Sequence, residues 1–456
     1  QAMMGYWGTP GAGPVFHSGP LRDVPFKAPL GEEGDYKVPK LYRSHKFAQA
    51  ILLLDKVRKG ELKEEDYIRL VGWRADSSIL KEFNPRILFW GGHTPFGSNH
   101  LVTACESSNY QIPAMMKMDF IVNMHNRFTP TVKYADIILP ALDYMWEEKN
   151  ITKTQYGGFD AINFCAGVVE PPGEVKPMVW VYTKLAEKLG IDPKRFFSYY
   201  TTDDNWDTDW ENYLKKGYQL TTEYYKKKNI SIPPWEEFTK GKFINCDELD
   251  PRPYTGYDDQ MIQGKPFRTE SGKIELFSFY MARAENKGKR EHYDKIGQIY
   301  DNPPTDWGDL TPYPAWLPAE KGIQDPKYPK YPLTLLSPHG RYRVHSLFWE
   351  HPWLRNQVYR HRVWINVADA KGRGIKDDDL VLVYNDRGKV LMPAYVTGRI
   401  MPGLAVIRHG GNYQPDDEGI DHGATPSTLL GGDEKSCVTP ASASTRIQIE
   451  KYTQRN

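Results

Sequence analysis

The strongest constraint on the fold lies in three short apolar runs, Arg86-Ile-Leu-Phe-Trp-Gly-Gly92, Asp119-Phe-Ile-Val-Asn123 and Ala135-Asp-Ile-Ile-Leu-Pro140. Each is bounded by Gly, Pro or polar residues and is too short for a helix, so each reads as a strand buried on both faces. Strands of that kind run parallel and need helical crossovers. One crossover begins after Ser44, puts Phe47, Ala50, Ile51, Leu54 and Val57 on one face and stops at Gly60; another spans Met178 to Leu189 and stops at Gly190. Residues 40–190 are therefore read as α/β.

Further along, the character changes twice. Residues 195–260 carry an acidic aromatic patch (Asp203, Asp204, Trp206, Asp207, Asp209, Trp210) and then Lys226-Lys227-Lys228, the pattern of a surface insertion. Eight prolines lie between Pro303 and Pro332; each removes a backbone donor and fixes φ, which excludes a regular element and marks a domain boundary. Beyond it, Leu333–Ser337, Val363–Val367, Leu380–Tyr384, Val390–Val396 and Leu404–Arg408 are rich in branched and aromatic residues, and Asn385-Asp-Arg-Gly388 is a hairpin turn signal. Five or six such strands predict a closed barrel, which leaves no bare edge.

Composition narrows the function. The 59 basic and 58 acidic residues leave a net charge of +1, so no global field recruits nucleic acid or an acidic membrane. A mean hydropathy of −0.62 and the lack of a long apolar run exclude a transmembrane helix. Cys105, Cys165, Cys246 and Cys437 form no CxxC pair, so neither a zinc knuckle nor an iron–sulfur cluster is supported. The opening Gln1-Ala2-Met3, followed at once by closely spaced glycines, predicts a piece of something longer.

Two places could carry chemistry. Ser337-Pro-His-Gly-Arg-Tyr-Arg-Val-His-Ser346 directly follows a strand, and residues 339–362 hold five Arg and four His against one acid, Glu350. A solvated basic loop and an anion site are the two readings; the strand end and the glycine, where backbone can approach a ligand, favour binding. The second place is Trp90-Gly91-Gly92-His93 at one strand end, with Asn123 and His125 at the next, because open α/β sheets bind ligands outside the carboxyl ends of their strands. Neither GxGxxG nor GxxxxGK[ST] occurs, so NAD and ATP are not indicated.

Several motifs then follow one another in a known order: Phe128-Thr-Pro-Thr131 with Tyr134–Pro140, Arg268-Thr-Glu-Ser-Gly-Lys-Ile-Glu275, Trp364–Ala370 with Arg373-Gly-Ile375, Tyr384-Asn-Asp-Arg-Gly388 and Met401-Pro-Gly403. In this the chain resembles catalytic subunits of the dimethyl sulfoxide reductase family of molybdopterin oxidoreductases, over roughly residues 85–456. Ser337–Arg341 with His345 is also similar to the phenol transhydroxylases of that family.

The resemblance implies a Rossmann-like parallel-sheet domain followed by a six-stranded β-barrel of the double-psi type. It divides the chain into a partial dinucleotide-binding domain (1–190), an insertion with α/β return and proline-rich linker (191–330) and a cofactor-binding barrel (331–456). It implies molybdenum or tungsten held by two molybdopterin guanine dinucleotides, and oxygen transfer to or from an S-oxide, N-oxide or oxyanion. Trp90, Gly91, Gly92, Asn123 and His125 would face guanosine or phosphate; Ser337, His339, Arg341, His345 and Ser346 would face a pterin or its phosphates. The implied partners are the N-terminal half of the catalytic subunit, an iron–sulfur electron-transfer subunit and a small substrate. The family's metal ligand lies in that N-terminal half, so this chain alone is expected to be inactive and without the metal. Gly411-Asn-Tyr-Gln-Pro415 and Thr425-Pro-Ser427 depart from the family's pattern.

Overall fold

All three short apolar runs form strands; helices of the same chain pack on the first two, whereas the third, Ile137–Pro140, expected to be buried on both faces, is largely exposed. The computed structural model describes residues 4–7, 47–71, 80, 82–91, 100–103, 108–142, 147–156, 159–245, 249, 257–267, 269, 271–277, 329–343, 346–349, 351–354, 360–430 and 445–453. Ser44, Gly92, His345 and most of the proline-rich stretch lie outside the described residues. By contacts the chain divides into two compact units, Gln1–Tyr36 with Pro140–Glu275, and Lys37–Leu139 with Leu276–Asn456.

The second unit opens with helices α1 (Phe47–Arg58), α2 (Glu64–Val71), α3 (His100–Thr103) and α4 (Ser108–Met115) around strands β1 (Ile87–Gly91), β2 (Phe120–His125) and β3 (Ile137–Pro140). The three expected strands are all present. The sheet order is β1-β2-β3, with β1 and β2 parallel and Trp90 opposite Asn123. Alanines let α1 approach closely: Ala48 and Ile51 meet Ala114 of α4, while Ala50 and Leu54 meet Tyr67, Ile68 and Val71. Leu88 and Ile121 on the sheet pack with Leu101, Val102 and Met115 from the helices.

The first unit holds an antiparallel pair, β4 (Lys149–Tyr156) and β5 (Phe159–Ala166), with helix α5 (Met178–Lys188) and a short strand β6 (Ile244–Asn245) on β5. The segment read as a surface insertion carries a helix of 21 residues, Trp206–Lys226. Its Tyr218 and Tyr225 pack with Ile162, Phe238 and Ile244 in a separate core. The charges interleaved with these aromatics dilute the apolar period, which is why the helix is hard to read in the sequence.

The rest of the second unit is mainly β, with a short helix at Val367–Gly372 after its second strand: β7 (Leu333–Leu336), β8 (Val363–Asn366), β9 (Leu380–Tyr384), β10 (Lys389–Thr397), β11 (Leu404–Val406), β12 (Ile420–Asp421) and β13 (Thr445–Lys451). The order β10-β8-β11-β7-β13-β9 closes on itself through the β9–β10 pairing, with β12 added alongside β10. The result is a closed six-stranded barrel of mixed direction: β10 and β8, and β11 and β7, run parallel, and the other pairs are antiparallel. Alternation supplies its interior, with Leu333, Leu335, Val363, Ile365, Val381, Val383, Ile447 and Ile449 all facing one core. Each such aliphatic side chain contributes about 1.5–3 kcal/mol on burial. Asn385 makes the predicted turn: its Oδ1 accepts from Arg387 N at 2.9 Å, and its Nδ2 donates to Leu429 O at 2.8 Å and Arg446 O at 3.1 Å.

Candidate functional site

Parallel pairing places the carboxyl ends of β1 and β2 side by side. Trp90 is half-buried there, Gly91 ends β1, and Asn123 and His125 are buried in β2 at 1% and 4% exposure. The amide of Arg127 donates to His125 Nδ1 at 2.8 Å, which fixes the ring. Asn123 Oδ1 and, in the following loop, Thr129 Oγ1 are buried with no hydrogen-bond partner among the described residues. Such orphaned atoms are costly unless a ligand satisfies them.

The same arrangement recurs in the barrel. β7 and β11 are parallel, and their pairing continues past the strands, Ile407 N donating to Leu336 O at 3.1 Å and His409 N to Pro338 O at 2.8 Å. That register brings the rings of His339 and His409 to 4.8 Å. Arg341 is exposed beside Tyr342, and Arg408 lies over Trp364 at 5.2 Å. Arg343 is buried over Trp349 at 3.8 Å, and Trp349 meets His361 edge-on at 5.0 Å. Burial, reinforced by the charges of Arg343 and Arg408, holds His361 down to about 4, so its Nε2 donates as neutral imidazole to Ala424 O at 2.9 Å. Ser337 Oγ is a third buried oxygen without a partner among the described residues.

Sequence reasoning missed Arg408 and His409, although Arg408-His-Gly-Gly411 also follows a strand and meets glycines, as Ser337–Arg341 does. It also missed Arg127 and Thr129, and it counted Arg343 in the basic cluster without singling it out. Of the anticipated residues, the structure brings His339 and Ser337 to one strand end with Arg341 nearby on the surface. Ser346 is turned inward at 1% exposure, its hydroxyl 2.9 Å from that of Thr103. Gly92 and His345 lie outside the described residues.

Several contacts bind the two ends into one assembly. Ser427 Oγ donates to Thr103 O at 2.6 Å and Lys133 Nζ to Asn412 Oδ1 at 2.8 Å. Tyr413, from the barrel, packs with Leu88, Leu101 and Ile121 of the α/β core. Arg127 stacks on Phe348 at 4.1 Å, and Phe348 has φ +65°, a left-handed conformation that costs a bulky residue about 1–3 kcal/mol. Buried Asp421 organises the loop that carries Tyr413, accepting from Gln414 N and Gly423 N at 2.8 Å and Thr425 N at 2.7 Å. Arg and imidazole donors beside orphaned Ser, Thr and Asn oxygens suit a ligand with phosphates and ribose or base polar groups.

Comparison with known proteins agrees with this chemistry. Residues 69–188 match the family described as molybdopterin oxidoreductase and residues 333–443 the molydopterin dinucleotide binding domain. The chain is 30% identical over 321 residues to the putative dimethyl sulfoxide reductase chain YnfE of Escherichia coli, covering 69% of this chain and 36% of that protein. Trimethylamine-N-oxide reductase 1 of Escherichia coli is 27% identical over 463 residues, 98% of this chain and 48% of the relative. Among solved structures, acetylene hydratase from Pelobacter acetylenicus shares the fold with a TM-score of 0.56 at 18% identity, over 80% of this chain and 44% of that one. The chain thus spans between a third and a half of the length of these curated relatives. Two family matches, in order and on the two regions that carry the strand-end clusters, establish that the chain belongs to the dimethyl sulfoxide reductase family of molybdopterin enzymes.

Proposed function

We propose that the chain is the C-terminal, cofactor-binding portion of the catalytic subunit of a molybdopterin guanine dinucleotide oxidoreductase, serving oxygen-atom transfer to or from an S-oxide, N-oxide or oxyanion. The observation that carries this reading is the set of buried oxygens on Asn123, Thr129 and Ser337 that lack partners among the described residues, at strand ends flanked in the barrel by Arg341, Arg343 and Arg408. Trp90, Gly91, Gly92, Asn123 and His125 are read as holding guanosine or phosphate of one dinucleotide. Ser337, His339, Arg341 and His345 are read as meeting a pterin or its phosphates, with Ser346 fixing their loop through Thr103. When bound, the molybdenum or tungsten of that cofactor supplies the centre at which oxygen is exchanged. The parallel pairs β8–β10 and β7–β11 support reading the barrel as double-psi.

The named relatives are two to three times as long, which favours the remaining part of a catalytic subunit as the first partner; an iron–sulfur subunit is read as the electron partner from the family resemblance alone. Calorimetric titration of the 456-residue chain with GDP tests the binding half of the reading. Saturable binding, lost on Asn123→Ala, is expected; heat that is identical for wild type and variant would count against it. Joining the chain to the upstream half of a relative and assaying trimethylamine N-oxide or dimethyl sulfoxide reduction tests the activity.

A further inference from the structure

We propose that Arg127 is a positioning residue, which by stacking on Phe348 holds the barrel loop 346–349 in a strained shape from the α/β side. The purpose of this clamp rests on the cofactor reading, but the clamp itself is a property of the free chain.

A phenylalanine at φ +65° persists only where its surroundings over-determine it. Here they do so from two directions. From the α/β side, Thr103 meets Ser346 by a hydroxyl contact of 2.9 Å, and the Arg127 guanidinium covers the Phe348 ring at 4.1 Å. From the barrel side, Leu347 is buried and Trp349 lies under Arg343 at 3.8 Å. Arg127 is in turn tied to the end of β2, because its amide donates to His125 Nδ1 at 2.8 Å. A ligand that turns the His125 ring would therefore pull on Arg127, and so on Phe348. Past Phe348 the contacts continue through Trp349 to His361 at 5.0 Å and from His361 to Ala424 O at 2.9 Å. The end of β2 thereby sets the geometry of residues 346–349, whose Trp349 lies under Arg343, and occupancy of one strand end favours the bound shape of the other.

Amide hydrogen exchange of the whole chain without ligand tests the clamp. Arg127→Ala should speed exchange of the Leu347–Trp349 amides on the order of tenfold, as expected for a lost, partly desolvated cation–π contact, while amides of 120–125 keep their rates. Arg127→Lys, which keeps a cation, should recover part of the protection. In a Phe348→Gly background Arg127→Ala should do nothing, since glycine adopts φ +65° unaided. If glycine at 348 unfolds the loop, the lysine rescue carries the test. Equal exchange in wild type and Arg127→Ala, or failure of lysine to recover any protection, overturns the proposal. Added GDP separates the two readings: protection at 120–125 that spreads to 347–349 in wild type but not in Arg127→Ala supports the coupling, and protection confined to 120–125 in wild type overturns it. No protection by GDP anywhere would count against the nucleotide reading, while the ligand-free comparison still decides the clamp.

Discussion

The hydroxyl of Ser427 donates to the carbonyl oxygen of Thr103 at 2.6 Å, across 324 positions of sequence. With the Thr103–Ser346 contact it ties the short helix α3 to two separate barrel loops. Ser427→Ala removes that buried hydrogen bond, at a cost of about 0.5–1.5 kcal/mol. Urea unfolding checks it: the midpoint should fall with the slope unchanged, and a midpoint within error of wild type would show that water replaces the hydroxyl.

His361 gives the folded chain an acid sensitivity. The unfolded histidine takes a proton near pH 6.5, whereas the folded, half-buried one takes it only near pH 4. Its contribution is therefore fully present above pH 6.5 and is lost as pH falls from 6.5 towards 4, by up to about 3 kcal/mol. Stability measured across that window should decline in wild type and decline less in His361→Gln, which keeps an amide donor without a titrating proton. Parallel profiles would assign the acid limb to other groups.

In the full-length enzyme, Arg341→Ala should weaken binding of the complete cofactor by roughly ten- to hundredfold, the worth of one charge-assisted contact of about 1.5–3 kcal/mol. Because Arg341 is exposed, the barrel should melt as in wild type. Unaltered affinity would return it to the role of a solvated loop arginine.

Two glycines should respond differently to alanine. At Gly423 a Cβ would stand 1.6 Å from Asn412 O, at the crossing of the two loops held by Asp421, whereas at Gly403 no atom lies within 4 Å. Gly423→Ala must move backbone and should cost about 3 kcal/mol or more; Gly403→Ala, with φ +83°, should cost only about 1 kcal/mol for its left-handed backbone. Near-UV circular dichroism should show the difference, since displacing Asn412 also pulls Tyr413 from the α/β core.

Limited proteolysis addresses the proposed boundary at residue 331. Cleavage is expected in the proline-rich stretch, whose backbone can form few regular hydrogen bonds. Because Tyr413 and Ser427 hold the barrel to α3 and β1, the fragments should then co-elute under native conditions and part only in denaturant. Separation in plain buffer would show that the barrel stands alone.

What the sequence reveals is what repeats locally. Strands β1, β2 and β3 are legible because Gly, Pro and polar residues close them, and the Asn385–Gly388 turn because an Asn side chain can replace backbone partners. β13 is not legible as a barrel closer, since Thr445–Lys451 is anchored by neighbours far away in sequence. The proposed anion site shows in the sequence as a run of Arg and His after β7. Its other wall, Arg408 and His409, was hidden because only the parallel pairing of β7 with β11 makes them neighbours. Tyr413 and Thr103 are harder still: one tyrosine inside a foreign core and one threonine bonded to a distant serine leave no period to read.

The position of β13 has a consequence for biosynthesis. It lies between β7, the first barrel strand to leave the ribosome, and β9, so the ring cannot close until residues 445–451 have been made. Until then β7 and β9 each offer a bare ladder edge to other nascent chains. Translation that stalls before Thr445 would release an open sheet rather than a smaller barrel, and such chains should be found with chaperones or in aggregates.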